Sequence, residues 1–307
     1  MDLKDFALQC DDVLKPFNKT ETLLFYAVIS KSLNSYLKGK EIAAKNWIPH
    51  GKTPFLIKRG SKEEPLHVEE FKEVTIDFLK VRSEKEHLDE AKKMLNKTQE
   101  KLWTYFLPRK LSDFFYATNN ETPGKNIDRI FFDIDKGEKA TASESQNVAK
   151  ALLDTIDEDR DFDEIRENIS THLVSWTGNS FHVMLFLKKP MPNSFYVDNF
   201  QFSKNDPLNN FTGRWVEKIK KQGFKVTGGH EKTSYIIIDP SQTPSGKLCR
   251  VPLGSLHMKD ALTVNGVSIP LKREMLEEKN LVNHLRDYTP QKVLEELNEL
   301  EKRLPKL

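Results

Sequence analysis

The sequence predicts a mixed α/β (α+β) fold with mixed sheets flanked by helices. Three observations carry that assignment: amphipathic helices alternate with short apolar strands, acidic residues recur where strands end, and the connections gather Pro, Gly and Lys. With 307 residues the chain can bury a full core, and it is read as one catalytic unit over 1–307 with two lobes.

The elements follow in order. Residues 20–37, "TETLLFYAVISKSLNSYL", open on a Thr cap and repeat apolar residues at helical spacing. A lysine-rich loop and short strand, "KNWIPHGKTPFLIKRG", come next. The block 68–107 is charged and helical, with acid and base pairs four residues apart. A strand over 127–135 leads to a helix over 143–157 behind Ser143. Strand 171–176, turn 177–180 and strand 181–188 read as a hairpin, followed by a proline-bearing polar connection over 190–207. Helix 211–222, strand 233–239, a loop with Pro244 and Gly246, and a strand around 248–252 complete the α/β part. A C-terminal helix over 289–303 takes Thr289 as its cap and Pro290 in its first turn.

Composition narrows the function classes. Hydrophobic residues make up 37% and charged residues 31% of the chain, the balance of a folded, water-soluble domain. No run approaches the ~18 apolar residues of a membrane span. The start "MDLKDFALQCDD" has no basic or apolar leader block, so a cytoplasmic location is expected. Two distant cysteines, Cys10 and Cys249, build neither a zinc knuckle nor a disulfide framework. The net charge of +2 is mild, yet lysines crowd into 36–60, which permits a polyanionic partner.

The stretch "NIDRIFFDIDKGE" places Asp133 and Asp135 two apart in a strand, on one face, with Phe132 and Ile134 on the other. Two like charges side by side are stable around a divalent cation, and hard oxygen donors suit Mg²⁺ or Mn²⁺. An isolated DxD is more often a strand end that frays into an acidic turn, so other residues must decide. In "LVSWTGNSFHVMLFL", Thr177, Gly178, Asn179 and Ser180 make a tight turn whose backbone N–H groups are candidates to hold phosphate oxygens, with His182 on the emerging strand. A plain hairpin with a satisfied histidine fits that stretch equally. In "YIIIDPSQTPSGKLCRVPLGSLHMK" a third acid, Asp239, ends a strand. Gln242, Lys247, Arg250, Ser255, His257 and Lys259 follow it. A structural acid with a solvated basic loop is the alternative there. Taken in order, the three stretches point to two-metal phosphoryl transfer, with carboxylates on the metals and the donors on a triphosphate.

The ordered triple "FFDID", "TGNSFH" and "IIID" resembles the three motifs of the archaeo-eukaryotic primase superfamily. Within it, "RIFFDIDKGE" and "IIIDPSQTPSGK" are most similar to the polymerase domain of ligase D and its stand-alone end-joining relatives, over roughly residues 13–270. The resemblance implies a two-lobed primase-polymerase core and a nucleotidyltransferase that adds nucleotides, ribonucleotides preferred, to a 3′-hydroxyl. The setting would be DNA end joining or gap filling, with a primer-template, a gapped end bearing a 5′-phosphate, a DNA ligase and a Ku-like protein as partners. It makes Asp133, Asp135 and Asp239 the metal ligands for Mg²⁺ or Mn²⁺. Thr177, Asn179, Ser180, His182 and Gln242 would face the incoming NTP or dNTP, together with Lys247, Arg250, Ser255 and His257 from the loop. Lys19 matches a helix-start lysine near the downstream 5′-phosphate. Lys45, Lys52, Phe55, Lys58 and Lys232 are the remaining expected DNA contacts, with Phe55 the candidate for base stacking.

Two features depart from the end-joining pattern. A histidine placed before the DxD strand has no counterpart in "SDFFYATNNE", and "RVPLGSLHMK" looks more like replicative primase small subunits. A primase that begins chains de novo is therefore the alternative, weakened because two cysteines cannot make the zinc element that often accompanies such subunits. A non-catalytic nucleic-acid-binding module built on the lysine patch, Trp47 and Phe55 is a third reading. It gives no reason for three strand-end carboxylates, which repel phosphate.

Overall fold

A computed structural model describes residues 2–9, 22–48, 55–58, 64–231, 233–258 and 261–307, with the backbone alone at 55–58. The chain forms two compact units. One comprises Met1–Ala117, Arg250–Ile269 and Tyr288–Leu307, the other Thr118–Cys249 and Pro270–Asp287.

In the first unit, strand β1 (Glu41–Trp47) pairs antiparallel with β2 (Phe55–Lys58), β3 (Leu66–His67) and β4 (Leu111–Ala117). The helix Thr22–Leu33 is apolar nearly all round, and all but two of its residues are buried, as such a composition requires. Its Tyr26 packs among the rings of Phe25, Phe106 and Phe114 and donates its hydroxyl to the Ser112 carbonyl. Buried Asn46 locks β1 to its surroundings. Its amide donates to the Tyr105 carbonyl at 2.7 Å, and its oxygen accepts from Ser112 Oγ at 2.6 Å and Leu107 N–H at 2.9 Å.

Several expected elements are shorter here than the periodicity suggests. The charged block 68–107 is helical in pieces, because Thr75 and Asn96 each accept from a backbone N–H as N-caps and restart the helix at Ile76–Glu84 and Lys97–Tyr105. The C-terminal helix is two, Pro290–Glu295 and Leu297–Glu301, joined at Glu296, with Thr289 capping the first as expected. Strand β4 was hidden from sequence reasoning because Ser112 and Asp113, adjacent and both buried, break the alternation that marks a strand.

The second unit is built on a six-stranded sheet. Its strands are β5 (Ile127–Lys136), β6 (Ile169–Trp176), β7 (Phe181–Met191), β8 (Val226–Gly228), β9 (Ile236–Asp239) and an edge strand, Ile269–Leu271. They lie in the order edge strand, β6, β7, β5, β9, β8, with β8 and β9 parallel. One face of β5 is covered by helices. Phe132 meets the rings of Phe200 and Trp215, and Ser145, in the helix Ala142–Glu158, donates to the Ile134 carbonyl at 2.7 Å. That helix is capped by Thr141, not by Ser143. Thr141 and Glu144 form a reciprocal capping box, the T-x-x-E pattern.

The strand expected over 233–239 begins only at Ile236. Before it, the Tyr235 carbonyl accepts from Gly137 N–H at 2.8 Å. The Thr233 carbonyl passes so close that a Cβ on Gly137 would lie 2.0 Å from it, so 233–235 is a loop pressed on the exit of β5. The connection over 190–207 contains a short helix, Asn193–Asn199. Among the described residues no helix is long and apolar enough to cross a membrane.

Candidate active site

The face of β5 opposite Phe132 and Ile134 carries the acidic residues. In the β5–β9 ladder Asp133 is paired directly with Asp239, and in the β5–β7 ladder it is paired with His182, which in turn faces Ser175 on β6. Directly opposed residues project to the same side, with Cβ atoms about 4.5–5.5 Å apart. Ser175, His182, Asp133 and Asp239 therefore form one row across four strands, and Asp135 stands one pleat further along β5 on the same face. His182 Nε2 is 3.6 Å from Asp133 Oδ1, and the ring meets Phe131 edge-on at 4.7 Å.

Asp239 is held more firmly than a fraying strand end would be. Its carboxylate accepts from Ser241 N–H at 2.8 Å and Ser241 Oγ at 2.9 Å, an Asx-turn, and His230 Nδ1 lies 3.0 Å away. Nearby Tyr196 is buried, and burial first and the Asp239 charge second push its phenol well above the ordinary tyrosine range.

The turn between β6 and β7 works differently from expectation. Gly178 adopts φ +96°, the first central position of a two-residue hairpin turn that glycine takes without steric cost. The N–H groups of Asn179 and Ser180 are not open to a phosphate, because both donate to Thr177 Oγ1, at 3.3 and 3.0 Å. Thr177 and Ser180 hydroxyls lie 3.2 Å apart, and Ser180 Oγ donates to Asp135 Oδ1 at 3.4 Å. Thr177 thus shapes the turn, and Ser180 steadies an acid. Gln242 is half-buried and Lys247 exposed in the same unit, past Asp239.

Other expected site residues belong to the first unit. Lys45 on β1 is the cross-strand partner of Asp113 on β4. Arg250 approaches Asp113 at 3.5 Å, lies 4.9 Å from the Phe115 ring centre, and donates to the Leu256 carbonyl. Trp47 Nε1 donates to Asp113 at 3.4 Å, and Lys45 sits 4.5 Å over the Trp47 ring. Burial raises the Asp113 carboxyl against the pull of Arg250 and Lys45, and burial lowers Lys45. Ser255 is fully buried with its hydroxyl donated to the Phe114 carbonyl at 2.7 Å, which places it inside the unit and not at a nucleotide. His257 is half-buried on a short strand opposite Gly266. Phe55 and Lys58 lie on β2, and Lys19, Lys52, Lys232 and Lys259 fall outside the described residues.

Sequence reasoning missed Asp113 and Ser175, placed by strand pairing between distant segments, and also Tyr196, in the helix Asn193–Asn199, and His230, which meets Asp239 from the bend after β8. Ser241 had a local signal, the Asp-Pro-Ser order that favours an Asx-turn.

The donor chemistry fits a hard divalent cation: three carboxylates share one face. Among the described residues no cluster of three His, Cys, Asp or Glu side chains holds a metal by itself.

No family model matches the chain, and no curated protein matches it. Among solved structures it is similar to the polymerase domain from Mycobacterium tuberculosis ligase D in complex with DNA, at 14% identity, with a TM-score of 0.52 and 92% of each chain covered. The likeness establishes a polymerase-domain type of mixed α/β fold.

Proposed function

We propose that the chain is a nucleotidyltransferase of the primase-polymerase type. It adds nucleotides, ribonucleotides preferred, to a 3′-hydroxyl in DNA gap filling or end joining. The observation that carries this reading is the pairing of Asp133 with Asp239, with Asp135 on the same face of β5. A purely structural sheet gains nothing from opposing two carboxylates, which destabilise a ladder. DNA as partner is supported by the similar solved structure, which contains it. A DNA ligase and a Ku-like protein belong to the end-joining form of the proposal.

Asp133, Asp135 and Asp239 would hold Mg²⁺ or Mn²⁺. Held there, such cations would supply a lowered pKa for the attacking 3′-hydroxyl and a counter-charge for the departing pyrophosphate. His182, beside Asp133, would donate to a phosphate oxygen of the incoming nucleotide. Ser180 orients Asp135, and Ser241 with His230 orients Asp239. Asn179, Gln242, Lys247, Arg250 and His257 are assigned to the nucleotide, and Lys19, Lys45, Lys52, Phe55, Lys58 and Lys232 to DNA.

Primer extension on a gapped template tests the reading, with ribo- and deoxynucleotides, in Mn²⁺, Mg²⁺ or EDTA. Metal-dependent extension by the wild type is expected. Asp133→Ala, Asp135→Ala and Asp239→Ala should each lose about two orders of magnitude or more, the scale of removing one preorganised electrostatic element. Extension retained by all three variants would sink the proposal. The resemblance of "RVPLGSLHMK" to primase small subunits supports a second form, synthesis without a primer, which the same assay reads by omitting the primer.

A further inference from the structure

A cavity lies on the helix-bearing face of the sheet in the second unit, at the end of the β5–β9 ladder away from Asp239. It encloses about 380 Å³ and is lined by Lys139, Glu144, Phe224, Lys225, Tyr235 and Ile236, among others. That volume is within the range of small-ligand sites.

Its walls have the chemistry of a stacking platform beside positive charge. Tyr235 is a large aromatic left 49% exposed at the mouth. Its backbone is fixed on both sides, since its N–H donates to Thr233 Oγ1 at 2.9 Å and its carbonyl accepts from Gly137 N–H at 2.8 Å. The same loop passes so close to the exit of β5 that a Cβ on Gly137 would lie 2.0 Å from the Thr233 carbonyl. A ring on so firm a backbone loses little entropy when a flat ligand settles on it. Lys139 and Lys225 make no ion pair with any described residue. The one acid of the lining, Glu144, is committed elsewhere: it accepts from Thr141 N–H at 2.7 Å and Thr141 Oγ1 at 2.9 Å as part of its own helix cap. Those two hydrogen bonds hold its carboxyl below the ordinary range, ahead of the weaker pull of Lys225.

We propose that this cavity is a nucleotide-binding site separate from the acidic row, with the base stacked on Tyr235 and the phosphate taken by Lys139 and Lys225. Planarity together with anionic charge selects this class over a plain apolar or a plain anionic ligand. The unit bound can be a free nucleotide or one residue of a single strand.

Binding is measured in EDTA, where the acidic row repels phosphate, so the outcome stands apart from the polymerase proposal. One arm titrates etheno-adenosine monophosphate by fluorescence. The other titrates a single-stranded oligonucleotide of about ten residues carrying 5-iodouracil, followed by photocrosslinking and peptide mapping. Tyr235→Ala should weaken binding about tenfold, while Tyr235→Phe, which keeps the ring, stays within about twofold of wild type. Lys139→Ala with Lys225→Ala should weaken binding and flatten its salt dependence. Binding in the first arm assigns the cavity to free nucleotides. Binding in the second arm alone, with the crosslink at Tyr235, assigns it to a strand. Equal affinity of wild type and Tyr235→Ala in both arms, or an equal fall for Tyr235→Phe and Tyr235→Ala, overturns the proposal.

Discussion

Asp133 and Asp239 are direct cross-strand partners, two carboxylates facing each other in one ladder. Like charges so placed work against the fold. Asp133→Asn is therefore expected to stabilise the metal-free protein, by a few tenths to about 1 kcal/mol. Added Mn²⁺ should raise the melting temperature of the wild type more than that of the variant, because only a ligand of the native state shifts the midpoint. Scanning fluorimetry in EDTA and in Mn²⁺ reads both effects, and a variant less stable than wild type in EDTA would contradict this account of the pair.

End joining predicts a preference that priming does not. Extension across a short gap should be faster when the downstream strand carries a 5′-phosphate, and Lys19→Ala should abolish the difference while basal extension remains. Rates on matched substrates with and without the phosphate decide the matter, and indifference of the wild type would favour initiation.

Ser255 offers a contrast between sequence expectation and structure. Its hydroxyl is spent on the Phe114 carbonyl in the interior of the first unit. Ser255→Ala should lower stability by about 1 kcal/mol and leave the nucleotide KM unchanged. A raised KM at unaltered stability would return Ser255 to the substrate.

Asp113 should leave a mark on the pH dependence of stability. Burial lifts its carboxyl above the ordinary value of 3.8, with Arg250 and Lys45 opposing. The native state then keeps a proton that the unfolded chain has already lost. Stability falls as pH rises from 3.8 through the folded-state value and levels off above it. Asp113→Asn removes that slope, so the variant gains on the wild type across this window. Urea unfolding at a series of acidic pH values measures the difference, and a constant offset would refute the assignment.

Much of the second unit was legible from local pattern. The strand ending in Asp133 and Asp135, the hairpin around Gly178, and the helix after Thr141 all carry period or cap signals that need no tertiary context. The acids were legible as types at strand ends, but their pairing was not, since Asp133 and Asp239 are 106 positions apart and only the ladder joins them. The turn amides were misjudged because Thr177 Oγ1 competes for them, a side-chain choice that the residue order permits without dictating. Buried β4 and the loop before Ile236 escaped for different reasons: β4 sets Ser112 and Asp113 side by side, which breaks the alternation of a strand, and Thr233 and Tyr235 bring the β-branched and aromatic side chains that imitate one.

The first unit is assembled from three separated stretches of chain, the last of them Tyr288–Leu307. Ser32, at the end of the buried helix Thr22–Leu33, donates to Glu301 at 2.7 Å, a partner made 269 positions later. During synthesis from the N-terminus, the unit that bears the acidic row has all its residues once Asp287 has emerged, whereas the other still waits for its closing helices. The helix Thr22–Leu33 therefore reaches its full set of partners only when the last segment of the unit is present, so closing this unit depends on contacts of the longest sequence separation.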